Sequence, residues 1–441
     1  MSVTPGTVHE VLQKWIVVHG LPLVYDIDKS HGCYLHDAKT GVDFLDFFSF
    51  VAARPLGYNH AKLKEAAFVE ELTRAALHKP ANCDVYTVEY ARFAEAFGSI
   101  PLAGKFKHLF FIEGGGPAVD NAVKAAIDWK HHKNLAARRG ERGSQIVHFK
   151  QGFHGRTGYA LSLTDSHDAR KTRFYPKFNW PRVTNPFIRF PFDEKSRADV
   201  EAREAQALSE INRAFEQHGD DIAAIIIEPI QGEGGDNYFR SEFLRALRRI
   251  ADDREALLIF DEIQTGFGST GRWWDFEHHE VTPDLLVFGK KTQVCGVAAG
   301  PRLDEVESVF HVASRISSTF EGNLVDMVRC TRIIDIMIQD DLLANAATMG
   351  RYLLKALTDL AQTQPAMTNV RGRGLWAAFD LPSTEDRDRV IKGCYDEQLL
   401  VMAGGARAIR MRAALDVDAD AIGRAAAQLE AGLRRAYGRA R

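Results

Sequence analysis

Cysteine is scarce in this chain: five in 441 residues (Cys33, Cys83, Cys295, Cys330, Cys394), odd in number, scattered and never spaced C-x-x-C. That excludes a disulfide framework and a structural zinc site, and it fits a reducing compartment. Neither sign of charge dominates. Lys plus Arg (56) nearly balances Asp plus Glu (59), for a formal net charge of −3, so the basic excess of a dedicated nucleic-acid binder is missing. No apolar run approaches the ~18 residues that mark a membrane-spanning helix. The opening MSVTPGTVHEVLQKW lacks the basic and apolar regions of a secretory leader. A soluble, cytoplasmic protein without membrane or nucleic-acid partners is the expectation. There is no fixed-period repeat, no low-complexity tract and no Pro/Gly/Ser linker. The one basic cluster (Arg434, Arg435, Arg439, Arg441) reads as the cationic end of a last helix. His131-His132 and His278-His279 lack zinc-ligand spacing and read as surface residues, so no metal is expected.

What is present is globular: 45% hydrophobic residues, with 35 Gly and 15 Pro. The length exceeds the ~250–300 residues at which a single core stops growing, so two interlocked domains are expected. Near the start, a helix candidate (Val8, Val11, Leu12, Trp15) precedes three extended runs, Leu23–Ile27, Cys33–His36 and Val42–Phe47, which read as an antiparallel meander. The middle alternates helices with short apolar runs: His108–Ile112, Gln145–Phe149, Ala223–Ile227, Leu257–Phe260 and Leu285–Phe288. Such runs suit strands buried on both faces of a mostly parallel sheet. Val200, Leu208, Ile211 and Phe215 recur at helical spacing, with Gly219 placed to end that helix. After about residue 330 the pattern gives two helices, a Gly-rich turn (Arg371-Gly372-Arg373-Gly374), a strand from Leu375 to Leu381 and a last helix. The fold class is α/β: a large domain over 56–329, and a small α+β domain built from 1–55 and 330–441.

Ligands of open α/β sheets bind beyond the carboxyl ends of the strands. There the first run meets Glu113-Gly114-Gly115-Gly116-Pro117 and a helical pattern, where bare amides at a helix start favour a phosphate. Such a turn is structural in many proteins and lacks the full dinucleotide or P-loop pattern. The other runs end in Phe153-His154-Gly155-Arg156, Glu228 to Gly235, Asp261-Glu262-Ile263-Gln264 and Gly289-Lys290-Lys291. Together they offer a phosphate cradle, an aromatic face, an anion and an amine. Pyridoxal phosphate asks for that set.

Asp261-Glu262, followed by Asp284 to Lys290, resembles the signature of class-III (ω-amino) aminotransferases of PLP fold type I, the aspartate aminotransferase-like fold. The resemblance covers nearly the whole chain. Lys79-Pro80-Ala81-Asn82, Pro176 to Arg182, Glu228 to Asp236 and Gly289 to Gly296 are similar to members that act on the ε-amine of lysine. It implies a ping-pong transfer from L-lysine to 2-oxoglutarate, giving 2-aminoadipate 6-semialdehyde and L-glutamate, by a homodimer with shared active sites. Ornithine, 4-aminobutyrate or another ω-amino acid is the alternative donor. A same-fold aminomutase and a non-catalytic nucleotide-binding or scaffold protein are the other readings.

In the roles that the resemblance implies, Lys290, rather than Lys291, carries the cofactor and moves the proton. Asp261 keeps the pyridine nitrogen protonated, Phe153 stacks on the ring, Gln264 reaches the phenolic oxygen, and the Gly115 and Gly116 amides hold the phosphate. Thr319 reaches the phosphate of the partner subunit. Arg156 takes lysine's distant carboxylate, Arg410 takes the near carboxylate of 2-oxoglutarate, and Val51 contacts substrate. Glu233 covers Arg410 in the amine half-reaction and swings aside for the oxo acid. Asp120, Gly116-Pro117 and Ala413-Ala414 depart from the family pattern in packing or loop positions. Arg54 and Glu321 are unusual charges near the expected mouth, and the expectation is that they pair at the dimer interface, directly or through water.

Overall fold

The computed structural model describes residues 3–438, so Arg439 and Arg441 of the basic cluster lie outside it. Arg434 and Arg435 do close a last helix, Ala419–Tyr437, and pair with Glu430 and Glu397.

Seven strands form the central sheet, in the order His108–Ile112, Cys295–Ala299, Leu285–Phe288, Leu257–Asp261, Ile222–Ile227, Gln145–Phe149, Arg182–Val183. All five expected strands are present. Two were missed: Arg182–Val183 and Cys295–Ala299, which is antiparallel to both its neighbours. Its small residues carry none of the bulky β-branched runs that mark the other strands. Every residue of Ile222–Ile227 is buried. Successive side chains along the sheet feed opposite cores: Ile225, Leu258, Phe260 and Phe288 one, Ala224, Ile226, Ile259 and Val287 the other. On the second face the long helix Gly115–Ala136 lies close, because Ala118, Ala122 and Ala126 at its contact are small and fully buried. The expected helix around Val200 is Glu194–His218, ended by Gly219 at φ +53.

Two smaller sheets join the chain ends. In one, Tyr34–Asp37 pairs antiparallel with Val42–Asp46, and Leu399–Leu400 adds in parallel. Of the expected first strand of the meander, only a bridge from Tyr25 to Asp37 forms. In the other, the order is Thr368–Arg373, Trp376–Asp380, Ala408–Arg412, Met402–Gly404. Arg371-Gly372-Arg373 is therefore strand rather than turn; the hairpin bends at Gly374, whose φ is +56. The helix Thr384–Asp396 and the last three short strands carried no clear pattern in the sequence. We propose that these sheets and their helices form the small domain of 1–55 and 330–441 around the large one of 56–329, with the helix Leu324–Gln339 running across the boundary. No helix among the described residues is long and apolar enough to cross a membrane.

Candidate active site

The parallel strands Gln145–Phe149, Ile222–Ile227, Leu257–Asp261 and Leu285–Phe288 end along one edge, and the reversed Cys295–Ala299 begins there. One cavity opens at that edge. Gly115, Gly116, Phe153, Asp261, Gln264 and Lys290 line it, as expected, together with His154, Glu228 and Cys295, to which the sequence reading gave no role.

Asp261 and His154 form its buried floor: His154 Nδ1 lies 2.8 Å from one carboxylate oxygen of Asp261, and the other accepts the Ile263 amide at 3.1 Å. Burial works against a charged His154, but the hydrogen bond and charge of Asp261, with Glu228 behind, raise its pKa. Glu228 is itself pushed up to about 8, by burial first, against the charge of His154. Its two oxygens accept the amides of Phe153 (2.8 Å) and Gly232 (3.0 Å), so it ties the aromatic wall to the loop that carries Glu233.

At the opposite wall the helix starts at Gly115, after Gly114 at φ +102. Its first internal bond is from Ala118 to Gly114, which leaves the Gly115 and Gly116 amides free for an anion. Close packing requires glycine here: a Cβ on Gly116 would lie 2.7 Å from Thr157 Oγ1, and one on Gly155 2.8 Å from Gly116 Cα. Pro117, with no amide hydrogen to leave unpaired, stands third in the helix. Asp120 braces the arrangement by accepting Thr157 Oγ1 and the Ala160 amide, each at 2.8 Å.

Lys290 adopts a left-handed φ of +56 and donates from Nζ to the Val51 carbonyl at 2.9 Å. The cavity leaves part of this side chain open to water, yet the amine itself lies deep among protein atoms. Desolvation, then Arg410 and Arg412, pull its pKa down to about 7, with Asp261 and Glu228 opposing. Lys291 is buried instead in the protein, where it donates to the Gln264 carbonyl at 3.1 Å. Val51 lies in a turn that sequence reasoning missed entirely. Ser49, Phe50, Val51 and Ala52 all have φ between +48 and +63. No glycine, asparagine or aspartate announces it.

The charged residues sit at different depths. Arg156 is exposed and, among the described residues, has no ion-pair partner. Arg410, in the strand Ala408–Arg412, is buried and donates to Ala403 O at 2.8 and 2.9 Å and to Gln264 Oε1 at 3.4 Å. Burial pulls its pKa down to about 10, against the charge of Asp236. Glu233 does not cover it here. One carboxylate oxygen of Glu233 accepts Ser166 Oγ at 2.8 Å and Lys171 Nζ, and the other is buried with no partner. Thr319 is exposed and lies outside the cavity; the segment that carries it is pinned by Cys83 to Thr319 O (3.2 Å) and Asn82 to Phe320 O (2.9 Å).

Two expectations are corrected. Arg54 does not pair with Glu321: it is buried, bound to Asp46 at 3.1 Å and stacked over Tyr58, while Glu321 accepts Ser317 Oγ at 3.4 Å. Asp46 is the nearer counter-charge, supplied by the strand just before. His279 is no surface residue either: it is buried against Ser241 and Asp275. His278 is half-buried, with its pKa pulled down to about 4 chiefly by desolvation.

An amine, a carboxylate–imidazole pair, an aromatic wall and free helix-start amides around one cavity fit pyridoxal phosphate. The family model for Aminotransferase class-III matches residues 16–433. The chain belongs to the class-III aminotransferases. These are pyridoxal-phosphate enzymes. An L-lysine-epsilon aminotransferase from Mycobacterium tuberculosis is 47% identical over 434 residues, 98% of this chain and 96% of that one. The solved structure of a lysine aminotransferase from M. tuberculosis matches with a TM-score of 0.96 at 46% identity, over 98% of this chain and 100% of the other. A 4-aminobutyrate aminotransferase from Dictyostelium discoideum is more distant, at 32% over 408 residues, 88% of this chain and 80% of the relative. Within this class-III site, Lys171, Ser166 and His154 escaped sequence reasoning. Ser166 lies in an irregular segment and Lys171 ends the three-residue 3-10 helix Ala169–Lys171, too short for a periodic signal. His154 sits inside a quoted motif, and its partnership with Asp261 is visible only in three dimensions.

Proposed function

We propose that this aminotransferase moves the ε-amino group of L-lysine to 2-oxoglutarate, giving 2-aminoadipate 6-semialdehyde and L-glutamate in two half-reactions. The observation that carries the reading is the contrast between two arginines: Arg410, buried beside Gln264 and close enough for its charge to act on the Lys290 amine, and Arg156, exposed and following the cavity-lining Phe153, His154 and Gly155 in the chain. Lysine's α-carboxylate lies roughly 7–8 Å from its Nε in extended form, whereas glutamate's lies only ~2.5 Å from its amine, from ordinary bond lengths. Two cations at two depths suit both. Arg156 serves the distant carboxylate with a bidentate fork, and Arg410 the near one.

Pyridoxal phosphate, when bound, supplies an electron sink that makes the amine-bearing carbon acidic. The chain's own residues do the rest. Asp261, braced by His154, would hold a proton at the pyridine nitrogen. The Gly115 and Gly116 amides would bind the phosphate, Phe153 would cover the ring face and Gln264 would reach the phenolic oxygen. Lys290, an amine whose depressed pKa leaves much of it neutral near pH 7, would take the proton from the amine-bearing carbon of the substrate and release it on the far side of the transferred nitrogen, two atoms along.

We further read the protein as a cytoplasmic homodimer in which Thr319 completes the partner's phosphate site. Five free thiols suit a reducing compartment. Trp15 (84% exposed) and Val17 (82%) are apolar surface that a second copy would cover. The test of the reaction is a donor panel with 2-oxoglutarate. Lysine should outrun ornithine and 4-aminobutyrate in kcat/KM, and a reversed order would replace the substrate while keeping the chemistry.

A further inference from the structure

We propose that Lys171 and Ser166 form a seat that holds the Glu233 carboxylate away from Arg410 and so leaves Arg410 open to the near carboxylate of the oxo acid. The identity of that anion rests on the transaminase reading above. The seat itself rests on contacts. Glu233 Oε1 takes both Ser166 Oγ, at 2.8 Å, and Lys171 Nζ. Its other oxygen is buried and unpartnered, so the carboxylate is only half satisfied where it lies.

The alternative place for it is close by. Gly405 donates its amide to the Glu233 carbonyl at 2.7 Å, and a Cβ on the adjoining Gly404 would lie 2.7 Å from Arg410 Cδ. Glu233 and Arg410 therefore flank one glycine turn. Arg410 meanwhile spends its donors on a backbone carbonyl and Gln264, and it has no ion pair among the described residues. One carboxylate thus faces two cationic seats, and the balance between them decides whether a substrate anion finds Arg410 free.

Lys171 is placed to bias that balance. Its loop lies against the cavity wall, with Nζ 5.7 Å from the centre of the Phe153 ring, and Asp165 anchors the loop to the Gln151 amide at 2.9 Å. Removing the Lys171 charge takes away one seat and leaves Glu233 to compete at Arg410. Lys171 is accordingly a positioning residue for dicarboxylate recognition, acting through Glu233.

The test is equilibrium binding of glutarate to the holoenzyme at fixed ionic strength. Glutarate carries neither amine nor oxo group, so no turnover intervenes and the identity of the amino donor does not enter. Lys171→Met should weaken glutarate roughly five- to tenfold, the size of a modest coupling between sites, and Lys171→Arg should restore most of it. On a Glu233→Gln background, Lys171→Met should change nothing further. An equal loss on both backgrounds would mean that Lys171 touches the dicarboxylate itself, and no loss on either would mean that the seat has no influence; each overturns the proposal. Lysine turnover that fails while glutarate behaves as stated counts against the donor reading alone. Failure of the unaltered enzyme to bind glutarate counts against Arg410 as a carboxylate site, and against the seat with it.

Discussion

Lys290 and Lys291 are neighbours in the chain, yet only the first faces the cavity, while the second is locked on the Gln264 carbonyl. Lys290→Ala should therefore lower transamination by at least ~10²–10⁴-fold, the usual worth of a general acid–base group, while phosphate-held cofactor still binds. Lys291→Ala should cost stability, on the order of 1–3 kcal/mol for the partner left unsatisfied, with most of the activity retained; thermal melts beside initial rates separate the two. The pH dependence follows from the lowered pKa of Lys290, about 7. The neutral amine captures the cofactor's aldehyde, so the rate of reloading apoenzyme should rise through about pH 7 and then level off. A rate still climbing toward pH 10 would mean an ordinary lysine. The position of Lys290 was readable from Gly289-Lys290 at a strand end, but its depressed pKa was not. That comes first from burial of the amine and then from Arg410 and Arg412, more than a hundred residues further along the chain.

The start of the Gly115–Ala136 helix is set by close approach, and Gly155, at φ +137, is where backbone meets backbone. Gly155→Ala should strain the turn and press its Cβ onto Gly116 Cα, a cost of about 1–3 kcal/mol. Cofactor affinity, measured by fluorescence titration of apoenzyme, should drop with it; unchanged affinity would remove Gly115 and Gly116 from the phosphate site. This element was legible because Gly-rich turns before helices have a physical signature. The left-handed turn Ser49–Ala52 was not. Each L-residue in that region costs roughly 1–2 kcal/mol, and the sequence offers no permissive residue there. The conformation is held from outside, by Asp46 accepting the Phe48 and Ser49 amides at 2.8 Å and by Ser49 Oγ on Arg412 O at 2.7 Å. Cys295–Ala299 was missed for a related reason: its place is fixed by pairing on both sides rather than by its own small side chains.

Across the whole molecule, the site draws on distant parts of the chain: Val51 near the start, the sheet ends in the middle and Arg410 near the finish. The sheet and its order of chemistry were legible because buried strands and the groups at their ends are local patterns. The junctions were not, since Arg54–Asp46 and Glu233–Lys171 depend on which loops meet. The homodimer proposed above would cover the exposed Trp15 and Val17 and bring the exposed Thr319 to the partner's site. Sedimentation equilibrium at micromolar concentration should give twice the chain mass, whereas a stable, active monomer would remove Thr319 from the site. The most direct measurement follows the nitrogen. L-Lysine labelled with ¹⁵N at either the ε or the α position is incubated with the enzyme and 2-oxoglutarate, and the glutamate is analysed by mass. Label should reach glutamate from the ε position and not from the α position; α-label in glutamate would contradict the two-arginine reading of the site.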